Sequence, residues 1–335
     1  MGVMIRSDAK LSEKVFAKDV ERAPTRDGFG TGTIEAGKAD ENVVVLCADL
    51  SESTRAEWFE KEFPDRFIEV GIAEQNMVGL AAGFAMAGKV PFIASYAAFS
   101  PGRNYEQIRT MAALNNLPVK VMGMHAGVSV GPDGATHQML EDMGLMRMLP
   151  RMVVVNPVDA IEARKAVVAA SKTPHPTYIR FGRSPVPTIT TEETPFSIGK
   201  ALLLWESEKP RIAFLSTGSM SSAALAAARA LDADGIGSLV LHVPTVKPLD
   251  EAAVLAAAKR AGKVVTIEEH QVAGGFGSAV AEYLSGAYPV PVKRLGIEDR
   301  FGQSGDPDEL LEHYGLSAPH IAEVARTFAK AASAP

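Results

Sequence analysis

Short apolar runs alternate with alanine-rich segments along almost the whole chain, and this alternation restricts the fold more than any other feature. Runs rich in Val, Ile and Leu predict buried strands, whereas the alanine-rich segments predict helices. Strands that alternate with helices favour mostly parallel sheets covered by helices on both faces. The sequence therefore predicts the α/β fold class, with each sheet at the centre of a three-layer αβα arrangement.

The predicted elements form two series, which indicates two consecutive αβα domains in a chain of 335 residues. Strands are predicted at residues 43–50, 91–99, 119–124, 152–156, 177–181, 211–217, 237–243, 263–268 and 290–295, and helices at residues 75–87, 160–171, 221–231, 250–261, 277–284 and 319–331. The segment SPVPTITTEETP at residues 184–195 has no helical period and is typical of a linker. We expect an N-terminal extension at 1–21, a first domain at 22–187, a linker at 188–195 and a second domain at 196–335.

The charge and the cysteine content exclude several classes of function. A net charge of −6 does not supply the clustered Lys and Arg that nucleic-acid binding requires, so no nucleic-acid partner is expected. The most apolar stretch, residues 78–99, is interrupted by Lys89 and Pro91, and a membrane-spanning helix needs about 20 apolar residues in a row. Cys47 is the only cysteine, which excludes an internal disulfide and a thiolate-rich metal site. We expect a cytoplasmic protein with no membrane contact.

The segment RFIEVGIAEQNMVGLAAGFAMAG predicts a strand that runs through Gly71 into a helix, with Glu74 near the helix start. A glutamate in this position is most often a carboxylate that favours the positive end of the helix dipole. The helix that follows is unusually rich in Gly and Ala. This composition is expected where a backbone lies close to another surface, such as a partner subunit.

Two histidines lie in the segment MHAGVSVGPDGATHQMLED. His125 and His137 are too far apart for one helix face, and the glycines between them indicate a loop that also carries Asp133 and Gln138. Two histidines on one loop are typical either of a metal site or of proton transfer. A metal site needs further N, O or S ligands at matching positions, and the residues alone leave both interpretations open.

Taken together, GIAEQNM at 71–77 and GPDGATHQ at 131–138 resemble the pyrimidine-binding part of transketolases, which use thiamine diphosphate. The resemblance runs from about residue 22 to the end of the chain and includes VPTVKPLD and EDRFGQSGDPDELLEHYGL in the second series. It implies a pyrimidine-type domain followed by a transketolase C-terminal domain. The activity that it implies is transfer of a two-carbon ketol unit from a ketose phosphate to an aldose phosphate.

The resemblance also implies roles for single residues. Glu74 would donate a hydrogen bond to a ring nitrogen of the cofactor's aminopyrimidine, and it must then hold a proton, which burial away from water favours. His125 and His137 would bind sugar hydroxyl and carbonyl oxygens and relay protons. Asp133 would contact substrate hydroxyls.

Further residues in PTRDGFG, ADLSES and YIRFGR match the family's sugar-phosphate site. By this resemblance, Arg26, Ser53 and Arg180 would hold the substrate phosphate through charge-assisted hydrogen bonds. Asp49 would lie beside the cofactor's thiazolium at the end of its strand, where ligands bind in open α/β sheets.

The segment SYAAFSPGRNYEQIR contains candidates for the apolar wall against which the aminopyrimidine stacks. These candidates are Phe99 and Tyr105, although a buried aromatic residue is ordinarily part of the core. Gly102 stands where the family usually carries a further aromatic residue.

One part of the family's active site is missing from this sequence. Thiamine enzymes of this kind hold the cofactor diphosphate through a metal ion bound by a Gly-Asp-Gly motif and a later Asn. Here the only Gly-Asp pair is Gly305-Asp306, and no asparagine follows it. The resemblance therefore implies a split enzyme, in which a separate N-terminal transketolase subunit carries the GDG-Asn motif and holds Mg²⁺ or Ca²⁺. Thiamine diphosphate would be shared between the subunits of an α2β2 heterotetramer that acts on sugar phosphates.

Three alternatives to a transketolase subunit remain. A deoxyxylulose-phosphate synthase type shares the glutamate and the DGxTHQ loop, and the β subunit of a 2-oxoacid dehydrogenase shares the glutamate and the split architecture. A non-catalytic assembly protein could keep the fold without the chemistry. Ala126 follows His125 where many transketolases carry an aspartate that reads a sugar hydroxyl, so the substrate is either an ordinary pentose phosphate or an unusual sugar such as a sulfonated one.

Overall fold

The computed structural model of the chain describes residues 5–331, and residues 1–4 and 332–335, the outer ends of the predicted extension and second domain, lie outside that range. The strands are β1 Arg22–Ala23, β2 Val43–Cys47, β3 Phe67–Glu69, β4 Val90–Tyr96, β5 Lys120–Met124, β6 Val153–Val155, β7 Thr177–Arg180, β8 Val186–Pro187, β9 Leu202–Glu206, β10 Ile212–Ser216, β11 Ser238–His242, β12 Thr245–Lys247, β13 Val264–Gln271 and β14 Val292–Ile297. The α-helices are α1 Thr25–Ala39, α2 Ser51–Thr54, α3 Ala56–Glu62, α4 Glu74–Met86, α5 Tyr105–Gln107, α6 Asp142–Met148, α7 Ala160–Ser171, α8 Met220–Ala233, α9 Glu251–Ala261, α10 Phe276–Ala287, α11 Pro307–His313 and α12 Ala318–Lys330, and a π-helix at Ile108–Ala113 continues α5.

The first sheet has seven strands in the order β12-β6-β7-β5-β4-β2-β3, and all neighbours pair in parallel except β12 with β6. Its central strands are apolar and buried on both faces, as in β2 with the sequence VVVLC, because helices cover both sides. Helix α1 packs closely on α7 through Gly28. A Cβ atom there would lie 2.3 Å from the carbonyl oxygen of Ala160.

The second sheet has five strands in the order β14-β13-β10-β11-β9, with only β9 antiparallel to its neighbour. Helices α8 and α12 cover one face, and α9 and α10 cover the other. Asp250 begins α9 by accepting a hydrogen bond from the backbone N–H of Ala253, which satisfies one of the free donors of the first turn. The predicted α/β fold class with two helix-covered, mostly parallel sheets is confirmed.

Several elements differ from the sequence-based predictions. Strand β12 belongs in sequence to the second series, yet it pairs antiparallel with β6 at the edge of the first sheet. The segment at 184–195, which was predicted to be irregular, contains β8 just before the predicted linker at 188–195, and β8 pairs with β1. The strand predicted at 43–50 ends at Cys47, since Asp49 has a left-handed backbone with φ of 55° and α2 begins at Ser51. The strand predicted at 91–99 ends at Tyr96.

Buried polar contacts join the two sheets. Glu162 on α7 accepts from His242 Nε2 at 2.9 Å, and His242 Nδ1 lies 2.6 Å from Ser221 Oγ on α8. Glu269 on β13 accepts the backbone N–H of Ser129 at 2.6 Å. All four of these side chains are buried together with the backbone that they contact. The loop between His125 and His137 is therefore held in part by the second half of the chain.

Within residues 5–331, none of the helices has both the length and the apolar character needed to cross a membrane. Over the same range, no group of three or more His, Cys, Asp or Glu side chains is arranged to hold a metal ion.

Candidate functional site

The carboxyl ends of β2, β3, β4, β5 and β7 meet at one edge of the first sheet, because these strands are parallel. Ligands in open α/β sheets bind at this edge. The predicted site residues that follow these strands directly are Asp49 and Ser53 after β2, Glu74 after β3, Phe99 after β4 and His125 after β5. Arg26, in the first turn of α1, lies beside Ser53 and His125.

Arg26, Ser53 and His125 form one hydrogen-bonded group at this edge. Nη1 of Arg26 donates to the carbonyl oxygen of Ser53 at 2.7 Å and lies 3.1 Å from Nε2 of His125. His125 has a left-handed backbone with φ of 54°. A non-glycine residue in this conformation is strained by about 1–3 kcal/mol and is often found at ligand sites. The structure therefore brings together three residues that the sequence separates by 99 positions.

Tyr96, at the end of β4, is a site residue that the sequence analysis missed. Its ring stacks on His125 with centroids 4.1 Å apart, and its hydroxyl lies 2.6 Å from Ser53 Oγ. The Phe99 ring stacks on the Tyr96 ring with centroids 5.9 Å apart, and the His137 ring approaches Phe99 edge-on with centroids 5.6 Å apart. The available signal was a polar aromatic residue three positions before the predicted carboxyl end of the buried strand at 91–99. The wall predicted from Phe99 thus continues through Tyr96 to both histidines.

The electrostatic surroundings of His125 keep its ring neutral. Burial, and after it the positive charges of Arg26 and Arg183, lower the pKa of His125 to about 3. A guanidinium only donates hydrogen bonds, so Nε2 must be the acceptor from Arg26 and Nδ1 must carry the proton. Among the described residues, this buried Nδ1 has no hydrogen-bond partner. His125 therefore presents a neutral N–H donor, and the expected proton relay through a cationic ring does not fit at this position.

We predict that the His125 ring stays neutral from about pH 5 to about pH 9, where an ordinary histidine changes its charge. Ring-nitrogen chemical shifts measured by NMR should show no titration for His125 over this range. The folded-state pKa of about 3 lies below the ordinary 6.5. Protonation therefore favours unfolding, and the stability contributed by neutral His125 is present above about pH 6.5 and is lost as the pH falls towards 3. Removing a nearby charge with Arg26→Gln should raise the pKa, and a midpoint between pH 6 and 7 in the wild-type chain would contradict this account.

His137, Asp133 and Arg183 complete the second side of the group. His137 Nδ1 lies 2.9 Å from Thr136 Oγ1, and its half-buried ring faces the aromatic wall. Arg183 donates to the carbonyl oxygen of Val130 at 3.0 Å and lies 3.8 Å from Asp133 Oδ1. Its guanidinium is partly exposed, and it also lowers the pKa of His125 by its charge. Arg183 is a second site residue that the sequence analysis missed.

Arg180, the predicted phosphate ligand, lies elsewhere. It is 4% exposed, and its Nε donates to Asp142 Oδ2 at 2.9 Å, while Nη2 donates to the carbonyl oxygen of Glu269 at 2.8 Å. Tyr178 donates to the same Asp142 oxygen at 2.6 Å. These contacts use the guanidinium inside the junction between the two sheets. The assignment of Arg180 to a phosphate site is therefore wrong in this structure, and Arg183, three residues later, has the exposure that such a role requires.

Glu74 begins α4 and is 2% exposed. Nη1 of Arg103 donates to Glu74 Oε2 at 2.8 Å, and the Arg103 guanidinium lies over the Phe99 ring at 4.6 Å from its centroid. In this arrangement the Glu74 side chain accepts a hydrogen bond from Arg103, whereas the sequence analysis expected it to donate one to the cofactor. Arg103 is a third residue at the site that the sequence analysis missed.

Two other predicted residues lie at different depths. Tyr105 is half-buried and packs against the core cluster on the α4 side of the sheet, whereas Phe99 lies in the aromatic wall, so the structure does not bring the two rings together as one surface. Asp49 is exposed at the sheet edge, and its backbone N–H and that of Gly71 both donate to Glu69 Oε1. This shared contact links the loop after β2 to the loop that leads to Glu74.

The chain matches two family models. The transketolase pyrimidine binding domain matches residues 21–188, and the transketolase C-terminal domain matches residues 199–321. A putative transketolase C-terminal section from Methanocaldococcus jannaschii is 42% identical over 301 residues, which make up 89% of this chain and 94% of that protein. A 6-deoxy-6-sulfo-D-fructose transketolase subunit from Clostridium sp. (strain MSTE9) is 41% identical over 310 residues, covering 92% and 96% of the two chains.

A solved structure agrees with these relatives. The chain is similar to a protein described as a split gene transketolase, inactive beta4 tetramer, with a TM-score of 0.84 and 42% identity, and the match covers 91% of this chain and 97% of that one. The resemblance inferred from the motifs around Glu74 and His137 is confirmed. About nine-tenths of the chain matches proteins described as a transketolase C-terminal section or a split gene transketolase, and the chain belongs to the transketolase family.

Proposed function

We propose that this chain is the C-terminal subunit of a split, thiamine diphosphate-dependent transketolase. In this role it transfers a two-carbon ketol unit from a ketose phosphate to an aldose phosphate together with a separate N-terminal subunit. The observation that carries the proposal is one sheet edge with two adjacent features. One is the Glu74 and Phe99 pair, and the other is the group of Arg26, His125 and Arg183 around a buried N–H donor that has no hydrogen-bond partner among residues 5–331.

The residues present fit the pyrimidine part of the cofactor. Glu74 and Phe99 already hold a planar, nitrogen-rich group, because the Arg103 guanidinium donates to the carboxylate and lies over the ring. An aminopyrimidine has the same flat shape, but its ring nitrogen accepts a hydrogen bond where the guanidinium donates one. When bound, thiamine diphosphate supplies the carbon that accepts the ketol unit. Glu74 would hold a proton at the pyrimidine ring nitrogen, and Phe99 would orient the ring and exclude water from one face.

The other residues suit a polar, anionic sugar. His125 offers a neutral Nδ1–H donor to an oxygen of the substrate, and a buried donor without a partner gains about 1–3 kcal/mol when it finds one. We propose that His137 and Asp133 bind further sugar hydroxyls at the open side of the site. Arg26 and Arg183 would hold the terminal phosphate, with Ser53 contributing its hydroxyl next to Tyr96. Arginine suits this task because its fork of N–H donors matches tetrahedral oxyanions.

The proposed assembly rests on an exposed apolar surface beside the Glu74 helix. Ile72, Leu80, Met86, Met111 and Leu114 are between 40% and 78% exposed. Large exposed apolar groups on neighbouring elements are typical of protein–protein contacts. We propose that this surface contacts a second copy of the chain and the N-terminal subunit in an α2β2 heterotetramer. The partner would carry the GDG-Asn motif, the Mg²⁺ or Ca²⁺ and the cofactor diphosphate.

The domain boundaries and the location in the cell belong to the same proposal. We place the first domain at residues 22–187 and the second at 196–335, with β12 as the one strand of the second domain that extends the first sheet. A cytoplasmic location stays a prediction from sequence.

The experiment that tests the function is reconstitution with a separately encoded N-terminal subunit that carries the GDG motif. Neither chain alone should have activity, whereas the co-purified pair with thiamine diphosphate and Mg²⁺ should transfer ketol units from xylulose 5-phosphate to ribose 5-phosphate. Activity with pyruvate as donor would favour the deoxyxylulose-phosphate synthase or 2-oxoacid dehydrogenase alternatives. No complex with any GDG-bearing chain would favour a non-catalytic assembly protein.

A sulfonated ketose is a second candidate substrate. It is favoured by the 41% identity to the 6-deoxy-6-sulfo-D-fructose transketolase subunit and by the Arg26 and Arg183 charges, which suit any tetrahedral oxyanion. Comparing kcat/KM of the reconstituted complex for sulfofructose and fructose 6-phosphate decides between the two. A higher value for the phosphate would remove this candidate.

We predict that Arg183→Ala raises KM for phosphorylated substrates by about 10- to 100-fold with little change in kcat, because a charge-assisted contact contributes about 1.5–3 kcal/mol. Steady-state kinetics of the complex on ribose 5-phosphate and on unphosphorylated ribose measures the effect. Arg183→Lys should recover part of the binding, since it keeps the charge but loses the planar fork. An equal loss on both sugars would remove Arg183 from the phosphate site.

A further inference from the structure

The guanidinium of Arg103 makes both contacts that the proposed cofactor site offers. It donates to Glu74 Oε2 at 2.8 Å and lies 4.6 Å from the centroid of Phe99. The Arg103 side chain is 48% exposed, whereas that of Glu74 is 2% exposed. The arginine therefore lies between the buried carboxylate and solvent, on the side from which a ligand must enter.

An aminopyrimidine bound at Glu74 would need these same two surfaces. It would place a ring nitrogen against the carboxyl group and a ring face against Phe99, in the positions where the guanidinium now makes both contacts. The guanidinium and the pyrimidine are alike in being planar and nitrogen-rich. Occupancy by one therefore excludes the other.

We propose that Arg103 is an internal stand-in for the cofactor's pyrimidine, which leaves Glu74 and Phe99 when the cofactor binds. The proposal rests on the function proposed above. In the unliganded chain the stand-in compensates a carboxylate that would otherwise be buried alone, which is strongly unfavourable. When it leaves, Glu74 loses its cationic partner, and its carboxyl group becomes available for the contact with the pyrimidine.

The surrounding contacts allow the side chain to move while the backbone stays in place. The carbonyl oxygen of Arg103 accepts from Gln75 Nε2 at 3.4 Å, and the next residue, Asn104, donates from Nδ2 to the Glu74 carbonyl oxygen at 3.1 Å. Asn104 is fully buried and also donates to Ser100 Oγ. The anchored backbone holds the end of the side chain within reach of Glu74, and the exposed half of the side chain has solvent to move into.

Competition of this kind lowers the apparent affinity for the cofactor by the fraction of molecules in which the site is open. Arg103→Ala removes the competitor, so the assembled complex should bind thiamine diphosphate about tenfold more tightly than the wild type. Calorimetric titration in the presence of Mg²⁺ measures this dissociation constant. The affinity of the Arg103→Lys complex should lie between those of the wild type and Arg103→Ala, because lysine keeps the charge but cannot lie flat on Phe99.

Two controls separate the stand-in from other effects. Arg326→Ala removes another part-exposed arginine that is paired with a carboxylate, Asp234, on the distant helix α12, and it should leave the affinity unchanged. In the free chain, Arg103→Ala should lower the midpoint of thermal unfolding, and Arg103→Ala/Glu74→Gln should recover the loss because the lone buried charge is gone.

If the Arg103→Ala complex bound thiamine diphosphate as tightly as the wild type or more weakly, the proposal would be wrong. Arg103 would then either have no effect on cofactor binding or contact the bound cofactor. Failure of the proposed function has a different signature. In that case Glu74→Gln leaves cofactor affinity unchanged in both the wild-type and the Arg103→Ala background, or the wild-type complex does not bind thiamine diphosphate.

Discussion

Glu74→Ala in the reconstituted complex is expected to lower kcat for ketol transfer by about 100- to 10,000-fold. A carboxyl group that positions a proton in the reaction contributes this much to a rate. The chain itself should stay folded, because within residues 5–331 the Glu74 carboxylate is hydrogen-bonded only to the half-exposed Arg103 at the site entrance. Steady-state kinetics gives kcat, and circular dichroism with thermal unfolding of the free chain checks the fold.

The matched control is Glu106→Ala, which removes an exposed carboxylate from α5 in the segment that follows Arg103. It should keep kcat within about twofold of the wild type, since surface charges away from the reacting groups contribute little. A Glu74→Ala complex that retains more than a tenth of wild-type kcat would show that the reaction does not depend on this carboxyl group. The transketolase assignment of the site would then have lost its central residue.

Arg180→Met is expected to lower the free energy of unfolding by about 3–5 kcal/mol, because it leaves the carboxylate of Asp142 buried without its cationic partner. The same variant also breaks the contact to the carbonyl oxygen of Glu269, which joins the two halves of the chain. Urea-induced unfolding of the free chain, followed by circular dichroism, measures the change. Any kinetic effect of Arg180→Met should follow the folded fraction and should not depend on the substrate phosphate.

Two comparisons sharpen this test. Arg183→Met makes the same chemical change three residues later at a part-exposed site, and it should alter stability by less than about 1 kcal/mol. Arg180→Met/Asp142→Leu removes both charges and should recover much of the loss, because the cost comes from the unpaired charge. If Arg180→Met were as stable as the wild type and instead raised KM only for phosphorylated sugars, Arg180 would return to the phosphate site.

In the motif YIRFGR, the sequence did not show which arginine is buried. It contains two arginines, and the sequence alone favoured the first as the anion ligand. Asp142 lies 38 positions before Arg180, and the carbonyl oxygen of Glu269 lies 89 positions after it. No local pattern connects these groups. Arg183 could have been found from its place just past the end of β7, at the edge where ligands bind.

Of the two residues predicted to form the aromatic wall, only Phe99 lies in it, and the reason again concerns strand ends. Phe99 was found because an apolar aromatic stood near a predicted strand end, while Tyr105 was chosen from the same segment and lies against the core. The strand was predicted to run through Phe99, and this overrun hid Tyr96 inside it. Strand ends are set by where backbone pairing stops, and in this chain β4 ends at Tyr96. The stacking of Tyr96 on His125 depends on that end.

The sequence by itself determined the α/β class, the two series of strands and helices, and the loop that carries His125, Asp133 and His137. These features depend on local periodicity and on short motifs, which a single chain displays directly. Only the tertiary structure decided which arginine is buried, where β12 pairs and that Arg103 lies on Glu74 and Phe99. Each of these depends on groups that are distant in sequence and meet only when the strands align. Burial and charge compensation stabilise such groups only once they are in contact.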